Sequence, residues 1–110
     1  MNPTYQTLRA ANTARQVEWA NGDDTPALFK ATELGGEVGE ALNVVKKLER
    51  ERFGWKGSRD TVEHLAEELA DIIICTDLLA MHYGIDLNAA VARKFNATSE
   101  KVGLNTRLVP

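Results

Sequence analysis

Two long stretches of this chain carry apolar residues at helical spacing. Each also holds an acidic pair three residues apart: Glu37/Glu40 in Glu37-Val38-Gly39-Glu40, and Glu68/Asp71 in Glu68-Leu69-Ala70-Asp71. A spacing of three puts both carboxylates of a pair on one face of a helix. Two such helices running antiparallel bring four carboxylates to one spot. Clustered carboxylates repel one another and require cations, so a site for a hard divalent metal is the physical expectation. Solvated helix faces carry such pairs as well, and spacing alone leaves both readings open.

The surrounding pattern is helical throughout. Thr4 to about Ala20 contains Leu8, Ala11, Ala14 and Val17 with no proline or glycine, which predicts a first amphipathic helix ending at the turn-rich Asn21-Gly22-Asp23-Asp24. Thr25-Pro26 reads as an N-cap followed by proline at the first helical position, where its missing N–H costs nothing. A second helix then runs to about Arg50, with Leu34, Val38, Ala41, Leu42, Val45 and Leu48 as the expected core stripe. Glu33, Glu37 and Glu40 form a second stripe about 100° round the helix. Gly35, Gly36 and Gly39 lie on the remaining side at a cost of roughly 1 kcal/mol each relative to alanine, which close approach of another backbone or a ligand would explain.

Glu51 to Asp60 reads as a loop, and Asp60 with Glu63 resembles a capping box opening a third helix that runs to Tyr83. Leu65, Leu69, Ile72, Ile73 and Leu79 are its expected inward residues, and Gly84 its stop. Asp86 caps a fourth helix from Leu87 to about Lys101, ended by Gly103, and the tail Leu104 to Pro110 reads as an arm onto a neighbour. No segment alternates with a period of two for long. The expected fold is all-α: one domain over residues 1–110, with 102–110 as a short tail, forming a four-helix bundle-like protomer that assembles into a dimer or a dimer of dimers.

Composition narrows the partners. A chain of 110 residues buries only roughly two thirds of its unfolded surface, so help from a partner subunit is expected. A net charge of -3 argues against gripping a polyanion, and no nucleic-acid partner is expected. The lone Cys75 excludes a disulfide within the chain, reads as a small core residue, and suits a reducing cytoplasm. Met1 to Gln6 shows no basic region followed by an apolar block, and no apolar run approaches the roughly 18 residues of a membrane span. No membrane partner is expected, and the expected location is cytoplasmic.

The runs Glu37-Val38-Gly39-Glu40-Ala41-Leu42, Glu67-Glu68-Leu69-Ala70-Asp71-Ile72-Ile73, Tyr83-Gly84-Ile85-Asp86-Leu87 and Lys94-Phe95-Asn96 resemble the MazG-like all-α nucleoside triphosphate pyrophosphohydrolases. The likeness spans about Thr4 to Arg107 and centres on the family's E-x-x-E, spacer, E-x-x-D pattern. One departure stands out: many members begin the first motif with two adjacent acids, where this chain has Gly36-Glu37. Glu33, one turn earlier, is the candidate for the extra charge, and the number of metal ions stays open.

The resemblance implies Mg²⁺-dependent hydrolysis of a nucleoside triphosphate, usually a deoxynucleotide, to the monophosphate and pyrophosphate, with Mn²⁺ able to substitute. Carried over by position, Glu37, Glu40, Glu68 and Asp71 are the catalytic metal ligands, one of them doubling as base. It also implies a homodimer or homotetramer. Positive charge for the triphosphate would come from Lys94 and Lys101 on the fourth helix, with Asn96 between them, and from Lys47 on the Glu37/Glu40 stripe. Solvated helix faces are the alternative for each lysine. For the base, either Trp19 or Trp55 offers a stacking surface, and Asn12, Arg15 and Gln16 are within reach of its edge or sugar. A core tryptophan is the alternative, favoured more for Trp19 than for Trp55. The base itself is not readable.

His64, four residues before Glu68, is open to two readings: a partner or weak ligand of the carboxylates, or a surface or capping histidine. His82 reads as a cation at a helix C-terminus. Two other classes compete with the hydrolase. A noncatalytic helical dimer binding nucleotides or a protein partner gains nothing from a negative cavity without metal. Di-iron chemistry uses Glu-x-x-His motifs, which neither acidic pair supplies.

Overall fold

The structure is a computed structural model that describes residues 1–20 and 24–110. Asn21, Gly22 and Asp23, most of the turn expected after the first helix, lie outside the described residues. Among the described residues there are four α-helices and no strand: α1 (Leu8–Trp19), α2 (Ala27–Phe53), α3 (Val62–His82) and α4 (Leu87–Lys101). The all-α expectation holds. The chain divides into two compact units, Met1–Leu79 and Ala80–Pro110.

Local chemistry sets the helix ends, and it corrects several expected boundaries. α1 starts at Leu8 rather than Thr4 because the Thr7 hydroxyl accepts from the Ala10 N–H at 3.2 Å, satisfying one of the unpaired amides of the first turn. At α2 the flanking residue is Pro26 itself, with φ -61° and ψ 152° and no side-chain cap. The entry is tied down instead by Lys30, whose ammonium donates to the Thr25 carbonyl (2.7 Å) and to Asp24 Oδ1 (2.9 Å). α2 continues through Phe53, three residues past the expected end, and stops at Gly54 with φ 69°. There the Trp55 N–H donates to Arg50 O (2.8 Å) and the Gly54 N–H to Glu51 O (3.2 Å), the paired bonds of a left-handed glycine stop. The loop is tight at Gly57, where φ is 130° and a Cβ would lie 2.9 Å from Arg50 Nη1. α3 is capped by Thr61, one residue later than expected, through a 3.1 Å bond from the His64 N–H to its hydroxyl.

In the first unit α2 and α3 form an antiparallel pair. Arg50 reaches Ser58 beside the loop, Lys47 reaches Asp60 further out (3.9 Å), and Glu37 meets Glu68 further still. α1 joins the far end of α3 through a buried polar joint. Asp77, 5% exposed, accepts from Arg9 Nη2 at 3.0 Å and from Asn12 Nδ2 at 2.9 Å, and Asn12, 2% exposed, also donates to the Ile74 carbonyl at 3.3 Å.

The expected core stripe is only partly inward: Ala41 is buried and Leu34, Leu48, Leu65, Ile72 and Leu79 are half-buried, but the rest is not. Leu42, Leu69 and Ile73 are 64%, 50% and 58% exposed, and Val38 and Val45 are exposed too, whereas Ala41 and Val44 are each 3% exposed. α2 turns the line Glu37, Ala41, Val44, Leu48 inward, a line on the border of the two stripes: Glu37 is half-buried while Glu33 and Glu40 are exposed, and Ala41 and Leu48 are inward while Val38, Leu42 and Val45 are outward. Among the described residues nothing lies within 4 Å of a Cβ added at Gly35, Gly36 or Gly39, so none of them makes the expected close contact.

In the second unit α3 ends on the same kind of glycine stop, with Gly84 at φ 66° and the Ile85 N–H donating to Ala80 O at 2.9 Å. Asp86 Oδ1 accepts from the Ala89 N–H at 3.1 Å, and α4 has the expected bounds. The tail folds back on α4 instead of reaching outward as an arm: Asn96 Nδ2 donates to Leu108 O (3.0 Å) and the Leu108 N–H to Asn96 Oδ1 (2.7 Å).

The joint between α1 and α3 predicts a graded cost. Asp77→Ala removes a buried acceptor of the Asn12 amide and the carboxylate that Arg9 pairs with, and should destabilise the chain by about 2–4 kcal/mol in urea denaturation. Arg9→Ala should cost less, because that side chain is 33% exposed; equal losses would mean the buried amide contributes nothing.

Candidate metal centre and adjoining cavity

Glu37 and Glu40 leave α2 on one face and Glu68 leaves α3 opposite them. One carboxylate oxygen from each of the three lies within 4.8 Å of the others. Glu68 is buried at 9% exposure and Glu37 is half-buried. Their Oε2 atoms are buried and, among the described residues, have no hydrogen-bond partner. An unpaired buried carboxylate oxygen is costly, and two on facing helices define a place where positive charge is lacking. Asp71, the fourth expected ligand, is not one of the three, although its charge is felt at Glu37.

The electrostatics carry the same signature. Burial, then Glu40, Asp71 and Glu68, push the Glu37 carboxyl above its usual 4.5. Burial together with Glu37, Glu33 and Asp71 pushes up the Cys75 thiol, which keeps it in the unreactive form. Asp60 runs the other way: the Thr61 N–H and the His64 ring hold it below the usual aspartate value. Asp60 and then Glu68 in turn raise His64 above its usual 6.5. The His64 ring nitrogens lie 2.8 Å from Asp60 Oδ1 and 2.9 Å from Glu68 Oε1, so this histidine is a partner of the carboxylates.

A cavity of about 400 Å³ lies in the same unit. Its walls include Trp19, Phe29 and Leu78, with Arg15, Gln16, Lys30 and Glu33 as polar groups. Cys75 and Glu33 connect it to the carboxylates: both line the cavity, and the thiol feels Glu37 and Asp71. Asn12 and Arg15 also line it, though the Asn12 amide is spent on Asp77 and Ile74. Trp19 belongs to the wall and is 83% exposed. Trp55 lies outside the cavity, 61% exposed and stacked on Phe53 at 5.1 Å, so neither tryptophan is a core residue. Lys47 is half-buried beside Asp60. Lys94, Asn96 and Lys101 are in the second unit, the two lysines exposed and Asn96 held by Leu108.

The wall residues Phe29, Leu78 and Cys75 and the tie of His64 to Asp60 were not singled out by sequence, whereas the pairing of His64 with the carboxylates was one of its two readings. A signal for His64 existed: Asp60, His64 and Glu68 follow one another at intervals of four, the spacing of stacked neighbours on a helix.

The donor set suits a hard cation, being all carboxylate oxygen, and the two orphaned Oε2 atoms supply unused acceptors. No protein-family model, curated protein or solved structure matches the chain.

Glu37 sets a pH dependence with a definite sign. A carboxyl raised in the folded state contributes stability below its unfolded value of 4.5, and that contribution is lost as pH rises through the folded value. His64, raised above 6.5, adds a second loss at higher pH. In EDTA the melting temperature should therefore fall in two steps on the alkaline side of these values. Glu37→Gln should flatten the first step and raise the melting temperature at neutral pH. An unchanged profile in that variant would show that the carboxylates do not repel.

Proposed function

We propose that this protein is a MazG-like, Mg²⁺-dependent nucleoside triphosphate pyrophosphohydrolase that converts a (deoxy)nucleoside triphosphate to its monophosphate and pyrophosphate in nucleotide-pool control. The observation that carries this reading is the convergence of Glu37, Glu40 and Glu68 within 4.8 Å, two of them with buried unpartnered oxygens. These three residues would hold the cation, with Asp71 beside them. When bound, Mg²⁺ or Mn²⁺ supplies charge neutralisation at the phosphates and a lowered pKa for the attacking water.

The chain's own groups divide the rest. Asp71, outside the three-donor group, is the carboxylate assigned to take the proton as water attacks the α-phosphorus and its bond to the bridging oxygen breaks, releasing pyrophosphate. The apolar wall of Trp19, Phe29 and Leu78 suits the flat face of a base, with Arg15 and Gln16 able to donate to its edge or sugar. A carboxylate cluster next to a cavity with this wall favours a phosphorylated aromatic ligand over a bare anion, since polyphosphate alone is repelled by Glu37 and Glu40.

The same reading makes the chain a subunit of a homodimer or homotetramer. Val38, Leu42, Val45, Leu69 and Ile73 expose an apolar face on a small protomer, and the open glycines Gly35 and Gly39 allow a second backbone to approach.

Two measurements test this. A panel of dNTPs with Mg²⁺ should yield pyrophosphate and not orthophosphate, and Glu40→Gln or Asp71→Asn should lower turnover at least about 100-fold. Orthophosphate as the sole product, or unaltered turnover in both variants, would overturn the reaction. In light scattering the parent chain should exceed the mass of one copy, and Leu42→Glu should reduce it toward the 12.1 kDa of a single chain; a parent that is already monomeric and active would remove the oligomer.

A further inference from the structure

Glu68 is held by one oxygen and presents the other. His64 Nε2 is 2.9 Å from Oε1, while Oε2 is buried without a partner. The ring does not stand alone. Its Nδ1 is 2.8 Å from Asp60 Oδ1, the same oxygen accepts from the Thr61 N–H at 2.8 Å, and Asp60 Oδ2 lies 3.9 Å from Lys47 Nζ. A run of polar contacts thus passes from α2 through the turn before α3 to the Glu68 carboxylate.

Repulsion gives that run a task. Glu37 and Glu40 face Glu68 across the helix pair, and like charges at this distance favour rotation of a glutamate away from its neighbours. A glutamate has three rotatable bonds with which to do so. A donor on Oε1, itself fixed by Asp60, opposes the rotation and fixes which oxygen faces the cluster. With Nε2 directed at Glu68, the ring is engaged with the carboxylate and is not a ligand in its own right.

We propose that His64 is a positioning residue of the carboxylate centre: through Nε2 it locks Glu68 so that Oε2 points at Glu37 and Glu40, with Asp60 fixing the ring. The inference rests on the reading of these carboxylates as a divalent-cation site. A histidine that merely caps or decorates α3 contributes to folding and leaves cation affinity alone. The two roles are therefore separable.

The test uses the full chain and Mn²⁺ alone, with free Mn²⁺ followed by electron paramagnetic resonance at one fixed pH, and with thermal melting in EDTA for each variant. His64→Ala should weaken Mn²⁺ binding about tenfold or more, the usual effect of losing a group that orients a metal ligand. His64→Gln, whose amide can still reach Glu68, should recover most of the affinity. His64→Asn, which is shorter and can mimic only the nitrogen facing Asp60, should remain as weak as the alanine variant. Glu68→Gln serves as the control for the site itself. Wild-type affinity in His64→Ala or His64→Asn, with Glu68→Gln impaired, would overturn the positioning role and leave the cation site standing. Absence of Mn²⁺ binding by the parent chain would overturn the site and the positioning role together. If the alanine variant does not fold, the order of the glutamine and asparagine variants decides, because a folding role predicts equal affinity for the two.

Discussion

Like charge at the seam between α2 and α3 is the constraint on which the rest of the first unit depends. Glu37, Glu40 and Glu68 meet where an antiparallel helix pair would ordinarily bury apolar side chains. The apolar contribution there is modest, since the fully buried hydrophobic residues of this unit are Ala41 and Val44. A buried valine is worth about 1.5–3 kcal/mol and an alanine less, while two carboxylate oxygens are left unpaired. Beside the loop, Lys47 of α2 reaches Asp60, which is also bonded to His64 of α3. Arg9, Asn12 and Asp77 tie α1 to α3 further along.

The buried polar groups have a second effect. Asn12, Lys30, Glu68 and Asp77 occupy interior volume that a larger core would give to leucine or isoleucine. Each requires directional partners, so the arrangement specifies one packing of the helices even though it adds little net stability. Lys30 shows the logic at close range: its ammonium is bonded to Asp24 and to the Thr25 carbonyl, and this fixes how the chain enters α2 in place of a conventional cap.

Much of this was legible in the sequence, and the exceptions have physical causes. α4 has the expected bounds because Asp86 and Gly103 are unambiguous signals with no competitor nearby. α1 and α3 start later than expected: the start of α1 was read from periodicity without assigning a cap, and at α3 Asp60 competes with the adjacent Thr61. In each case the cap is the residue whose hydroxyl bonds the third amide of the helix. Asp60 loses because its carboxylate is turned to the His64 ring. The acidic pairs were visible as spacing, and three of the four carboxylates converge. The ties that hold them depend on tertiary placement, as Lys47 shows by reaching Asp60 from a different helix. The inward face was legible only in part for a similar reason. α2 carries two stripes about 100° apart, and periodicity cannot show that the inward line runs along their border, through Glu37, Ala41 and Leu48.

That ambiguity links the site to the exposed surface. The two stripes on α2 are about 100° apart, and the inward line runs along their border, taking Glu37 from one and Ala41 and Leu48 from the other. Turning α2 to bury Val38, Leu42 and Val45 against α3 would carry Glu37 and Glu40 away from Glu68 and dissolve the cluster. The exposed apolar face is therefore the geometric counterpart of the converged carboxylates, and not an independent feature. Anything that binds the cluster and anything that covers the apolar face both favour the same rotation of α2. By linkage, two ligands that stabilise one conformation strengthen each other's binding, so a cation held by the carboxylates would favour coverage of Val38, Leu42 and Val45, and coverage of that face would favour the cation.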